Sequence, residues 1–100
     1  RLAFASDEVI AARLAKELKG LRGADPIRAA LRVRYRVIGE AKGRGPEVVP
    51  SGGDLEDYYF HVIVGDYAGL PFRTTVEAFV VLDSTGSLDD VVIRRTAEGL

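Results

Sequence analysis

The chain contains no cysteine, methionine or tryptophan among its 100 residues, and it has one histidine. Without cysteine there are no disulfide bonds, no thiolate nucleophile and no cysteine-ligated zinc or iron–sulfur centre. A single imidazole also excludes the usual zinc sites that use two or more histidines. We therefore expect no resident metal or cofactor, and the composition favours a binding protein over an enzyme.

Neither sign of charge dominates, because 14 Lys and Arg residues against 15 Asp and Glu residues give a formal net charge of -1. Such a balance produces no overall field that would favour nucleic acid or an anionic membrane. No uninterrupted apolar run approaches the roughly 18 residues that a membrane-spanning helix needs. The length and the 47% hydrophobic content are typical of one soluble domain, predicted over residues 1–100.

The chain begins at Arg1 rather than Met, which indicates a processed protein or a fragment. Residues 3–5, Ala-Phe-Ala, have the small-x-small spacing of a signal-peptidase site, although the sequence does not show the charged and apolar segments that precede such a site. The alternative is that Leu2 and Phe4 pack against the following helix.

A helix is predicted from Asp7 to Lys19. Ser6 is a good N-cap residue, and acidic residues follow it where the helix dipole favours them. The apolar residues recur at spacings of three and four along one face: Ile10, Leu14, Leu18 and Leu21. After this helix, Asp25-Pro26 predicts a cap and a single helical turn through Ala30, not a long second helix.

Alternating side chains then predict strands. From Arg32 to Ile38, arginines alternate with apolar residues, which is typical of a half-buried strand. The glycine- and proline-rich stretch 39–54 is predicted to be a long loop, with a short extended piece at 47–49. Aromatic and β-branched residues predict a central strand from Asp57 to Gly65, followed by a short connection through Gly69.

The C-terminal part is predicted to be a β-hairpin. Its strands are Phe72 to Leu82 and Leu88 to Thr96, and they are joined at residues 83–86, Asp-Ser-Thr-Gly, where Gly86 supplies the left-handed residue of a three-residue loop. This loop predicts that Val81 pairs with Asp89 and that Glu77 pairs with Ile93.

Together these elements predict an α+β fold, in which an N-terminal helix packs on a four-stranded antiparallel meander. That order of elements resembles the cystatin-like group of folds. Residues 61–65, His-Val-Ile-Val-Gly, lie near the Gln-x-Val-x-Gly pattern of cystatin inhibitors, but His replaces Gln and Ile replaces Val. The departure argues against protease inhibition.

Both faces of the predicted sheet carry apolar side chains, and one helix can cover only one of them. The other face is therefore predicted to meet a partner protein or a second copy of the chain. The sequence does not identify the partner or the compartment. The candidate binding residues are Arg34, Arg36, Tyr59, His61, Glu77, Phe79 and Arg94.

Two alternatives remain open. His61 and Tyr59 could line a ligand-binding or enzymatic cup between helix and sheet, because His61 is the only side chain with an unperturbed pKa near neutrality. The basic row of Arg32, Arg34 and Arg36 could bind single-stranded nucleic acid weakly, although charged side chains on a strand more often protect a solvated edge.

Overall fold

The computed structural model describes residues 2–45 and 57–99, which form two α-helices and a four-stranded antiparallel sheet. The strands follow one another in the order β1-β2-β3-β4, and this confirms the predicted α+β fold with the helical part N-terminal to the sheet. The elements are the 3-10 helix Leu2–Phe4, α1 (Asp7–Glu17), α2 (Ala24–Arg32), β1 (Arg36–Lys42), β2 (Tyr58–Gly69), β3 (Phe72–Leu82) and β4 (Leu88–Gly99).

Helix α1 begins as predicted. The Ser6 hydroxyl accepts a hydrogen bond from the Val9 N–H at 3.3 Å, which satisfies one of the free amides at the helix N-terminus. Ile10 and Leu14, four residues apart, are fully buried. The apolar stripe of the sequence therefore faces the sheet.

Helix α2 corrects the sequence-based prediction of a single turn followed by a strand from Arg32. It spans nine residues and begins after Gly23 rather than after Asp25. Ile27 and Leu31 lie one turn apart and are both buried, whereas Val33, on the apolar side of the predicted strand, is 76% exposed. Burial of Ile27 and Leu31 stabilises the helix more than the alternation of arginine and valine favours a strand.

Three strands also extend further than predicted, and β4 continues past Thr96 to Gly99. Strand β1 continues through Lys42, so the predicted loop does not begin at Gly39. The later part of that loop, including the extended piece at 47–49, lies outside the described residues. Strand β2 continues to Gly69 and pairs with β3 throughout, because a bulge between Ile63 and Gly65 lets it bend without ending.

The β3–β4 hairpin is confirmed, but its predicted register is wrong by one residue. Val81 pairs with Asp90 and Glu77 pairs with Arg94, because an irregularity between Val81 and Leu82 adds one residue to β4. A shift by one residue exchanges the two faces of a strand. It moves Ile93 onto the helix side of the sheet and Arg94 onto the opposite side.

One hydrophobic core joins the helices to one face of the sheet. Arg95 closes this side of the molecule, because its guanidinium donates to the backbone oxygens of Ala3 and Ala5 and to the Asp7 carboxylate. Residues 3–5, whose spacing resembles a signal-peptidase site, thus contact the packed structure. The buried core residues are Ala3, Ile10, Leu14, Leu18, Ile27, Leu31, Phe60, Val62, Val76, Ala78, Val80 and Leu82.

Candidate functional site

The sheet has a second face, which points away from the helical core. Cross-strand partners share a face of a sheet, so the observed register brings together alternate residues from β2, β3 and β4. None of these residues belongs to the core beneath the helices. The second face includes Tyr59, His61, Ile63, Thr75, Glu77, Phe79, Val81, Asp90, Val92, Arg94 and Thr96.

Phe79 lies at the centre of the second face and is 3% exposed. The His61 ring stacks on it with 4.3 Å between ring centroids, and the Tyr59 ring lies 6.1 Å away. The Arg94 guanidinium carbon is 5.0 Å from the Phe79 centroid, which is within cation–π distance. Phe79 thus holds an aromatic ring and a guanidinium in fixed positions at the surface.

Glu77 links the two groups that flank Phe79. Its carboxylate accepts two hydrogen bonds from Arg94, both at 3.1 Å, and one from the His61 Nε2 at 2.8 Å. The Arg94 hydrogen bonds, followed by the one from His61, lower the pKa of Glu77 although burial opposes the shift. The carboxylate is therefore ionised and acts only as an acceptor, so the Nε2 atom of His61 carries the proton.

This geometry corrects the expectation of a cup between helix and sheet. Tyr59 and His61 lie on the face opposite the helices, because their neighbours Phe60 and Val62 point into the core. A depression of about 330 Å³ does lie on the helical side, between the end of α1 and the β3–β4 turn. Its lining residues, Leu18, Lys19, Gly20, Leu21, Arg22, Ser87 and Leu88, include neither ring.

The predicted basic row is also not formed. Arg32 ends α2, and Arg34 lies before β1 with its Nε 3.4 Å from a carboxylate oxygen of Glu17 in α1. Only Arg36 is on the second face, opposite Ile63 of β2. Of the seven candidate binding residues, the structure brings together six and leaves Arg34 on the helical side.

The Glu17 carboxylate already has partners on the helical side. It accepts a hydrogen bond from the Tyr35 hydroxyl, and burial followed by this bond raises the pKa of Tyr35. A second charged cluster on that side joins Arg28 to Glu40, whose carboxylate also accepts from the Tyr58 hydroxyl at 3.0 Å. These hydrogen bonds and ion pairs connect the helices to the strands, so we assign these groups a structural role.

Val92 is the surface residue that the sequence-based register placed wrongly. It is paired with Phe79 on the second face and is 46% exposed. The signal that could have located it was electrostatic. Moving the register by one residue places Glu77 opposite Arg94, a favourable cross-strand pair, instead of opposite Ile93.

Among residues 2–45 and 57–99, no group of three or more His, Asp or Glu side chains is arranged to hold a metal ion. None of the helices in those ranges is long and apolar enough to cross a membrane. The chain matches no protein family model, no curated protein and no solved structure. The likeness to cystatin-like folds therefore remains one of element order.

Proposed function

We propose that the protein is a non-enzymatic binding module and that a partner protein docks on the second face. The observation that carries this proposal is the stack of His61, Phe79 and Arg94, held in place by Glu77. Aromatic and arginine side chains dominate the binding energy of protein interfaces when their positions are fixed before binding. Exposed Val92 supplies apolar area beside this stack.

The charges of the second face are suited to being covered. Burial of an unpaired charge costs on the order of several kcal/mol. Glu77 avoids this cost because its carboxylate is already paired with Arg94 and His61. The Nη1 group of Arg94 is not used on Glu77, since the two bonds come from Nε and Nη2. Arg36 lies on the same face and is exposed. We infer a partner that offers an apolar side chain flanked by carboxylates.

The experiment is affinity capture from an extract of the source organism with the immobilised full chain. Two charge reversals form a matched pair: Arg36→Glu changes the second face, and Arg32→Glu changes the exposed end of α2 four residues away. The proposal predicts that a partner recovered by the wild type is reduced at least tenfold by Arg36→Glu and unchanged by Arg32→Glu. Equal recovery by both variants would contradict it.

A second pair tests the apolar part of the surface. Tyr59→Ala removes a ring from the second face, and Tyr67→Ala removes a ring that contacts Phe4 on the helical side. We expect Tyr59→Ala to weaken binding of the captured partner more than Tyr67→Ala does. Circular dichroism of each variant confirms that the comparison concerns folded protein.

A further inference from the structure

The outer edge of β4 is a second surface with a definite chemistry. In the sheet of described strands, β4 is at an edge and runs for twelve residues, Leu88–Gly99, without a proline. An edge strand of this length presents unpaired N–H and C=O groups that can accept another strand.

The direction of these groups can be read from one hydrogen bond. The Val91 N–H donates to the carboxylate of its neighbour Asp90 at 2.8 Å, so it points away from β3 and toward the free edge. In an antiparallel pair, successive residues point alternately toward the neighbouring strand and away from it. Ile93 and Arg95 therefore also direct their backbone groups outward.

The sequence of this edge is complementary to itself. Residues 89–95 read Asp-Asp-Val-Val-Ile-Arg-Arg, with two acids before three apolar residues and two bases after them. When two copies are aligned antiparallel about Val92, Asp90 lies opposite Arg94 of the second copy, and Asp89 lies opposite Arg95. Val91 then lies opposite Ile93, and Val92 lies opposite itself.

The same alignment also satisfies the backbone. It places Val91 opposite Ile93, two residues whose N–H and C=O groups both point outward, so they can exchange hydrogen bonds. A shift by one residue would place an outward-pointing residue opposite an inward-pointing one. A shift by two residues in either direction would move Asp90 and Arg94 away from each other.

The inner charged pair is available for this contact. Asp90 is exposed, and its carboxylate accepts from the Val91 N–H next to it. On pairing, this N–H would exchange the Asp90 carboxylate for the Ile93 carbonyl of the second copy, which releases the carboxylate for Arg94. The Arg94 side chain is 44% exposed and keeps Nη1 off Glu77. The outer pair is less available, because Asp89 already binds Arg44 and Arg95 binds the N-terminal segment.

We propose that β4 pairs with β4 of a second copy about a two-fold axis at Val92, which joins the two sheets into one of eight strands. The occupant is a second copy because the edge complements its own charge order. This inference rests on the backbone and charge order of β4 and not on the proposed function, although Arg94 belongs to both surfaces. The second faces of both copies would become continuous in such a dimer.

The test is sedimentation equilibrium of the full chain over a range of concentrations. We expect the wild type to form a dimer and Asp90→Arg to weaken it at least tenfold. Glu98→Arg is the matched control, because it makes the same charge change on the same strand outside residues 89–95. A monomeric wild type at several hundred micromolar, or equal effects of the two variants, would overturn the proposal.

Charge exchange provides a second test. The double variant Asp90→Arg with Arg94→Asp restores complementarity between identical copies, so it should dimerise more tightly than Asp90→Arg alone. Because loss of Arg94 from Glu77 could reduce folding, amide exchange of the wild type gives an independent readout. Exchange at Val91 and Ile93 should slow as protein concentration rises; rates that do not change with concentration would contradict β4 pairing.

Discussion

The Glu77 carboxylate accepts two hydrogen bonds from Arg94, each at 3.1 Å, across the β3–β4 pair. This contact fixes the position of the Arg94 guanidinium over Phe79. Glu77 is 7% exposed, and its other partner is His61. A buried charge with two partners makes the second face rigid, and its loss should be measurable.

Glu77→Gln tests the energetic contribution of this carboxylate. The change keeps the size of the side chain but removes its charge, so the bonds to Arg94 and His61 lose their ionic component. Because Arg94 is partly solvated, we expect a loss of about 1–2 kcal/mol in the free energy of unfolding. Urea denaturation measures it, with Glu98→Gln as the exposed control; equal stability of the two variants would contradict the assigned role.

The pH dependence of stability follows from the lowered pKa of Glu77. Because the folded-state pKa lies below the unfolded value, the carboxylate stabilises the protein above the unfolded pKa, about 4.3. That stabilisation is lost as pH falls through the lower, folded-state pKa. The stability of the wild type should therefore decrease more steeply below about pH 4.3 than that of Glu77→Gln. Parallel curves in acid-dependent denaturation would count against the ionised cluster.

Gly86→Ala should destabilise the hairpin turn for two reasons. Gly86 has a φ of +83°, and an added Cβ would lie 2.9 Å from the backbone nitrogen of Gly23, which donates to the Gly86 oxygen. Gly20→Ala is the matched control, because Gly20 has a φ of +81° and no atom within 4 Å of an added Cβ. We expect about 1 kcal/mol of loss for Gly20→Ala and a larger loss for Gly86→Ala. Equal melting temperatures of the two variants would contradict the contact between Gly86 and Gly23, which precedes α2.

Gly65 of β2 lies directly against Ala3 of the N-terminal segment. A Cβ on Gly65 would lie 2.3 Å from the Ala3 Cβ, so Gly65→Ala should displace the 3-10 helix and lower the melting temperature. Ala3→Gly should restore much of the loss in the double variant. A double-mutant cycle measures this coupling, and strictly additive effects would contradict the close contact.

The predicted and observed folds differ where long-range contacts override local pattern. The cap of α1 and the hairpin turn at Gly86 are local, and the sequence was sufficient to predict them. Helix α2 is stabilised by burial of Ile27 and Leu31 against the sheet. The alternation of arginine with apolar residues before Arg36 is a local pattern that predicts a strand there instead. Bulges are set by the partner strand, so the register of β4 could not be counted from its turn.

For the candidate site, the sequence predicted which residues take part but not how they are placed. His61 was identified as the only histidine, and Tyr59 and Phe79 were identified from the alternation of side chains between the two faces of a strand. Their placement away from the helices required knowledge of which face the core uses. The contact between Glu77 and Arg94 required the corrected register as well.

Site-specific photo-crosslinking in the source organism tests the central claim most directly. A photoreactive amino acid is placed at Thr96, on the second face of β4, and in a separate variant at Glu8, on the exposed side of α1. The account predicts a discrete adduct with another protein from position 96 that excess wild-type chain suppresses and excess Arg36→Glu does not. Adducts from position 8 alone, or equal suppression by both competitors, would contradict docking on the second face.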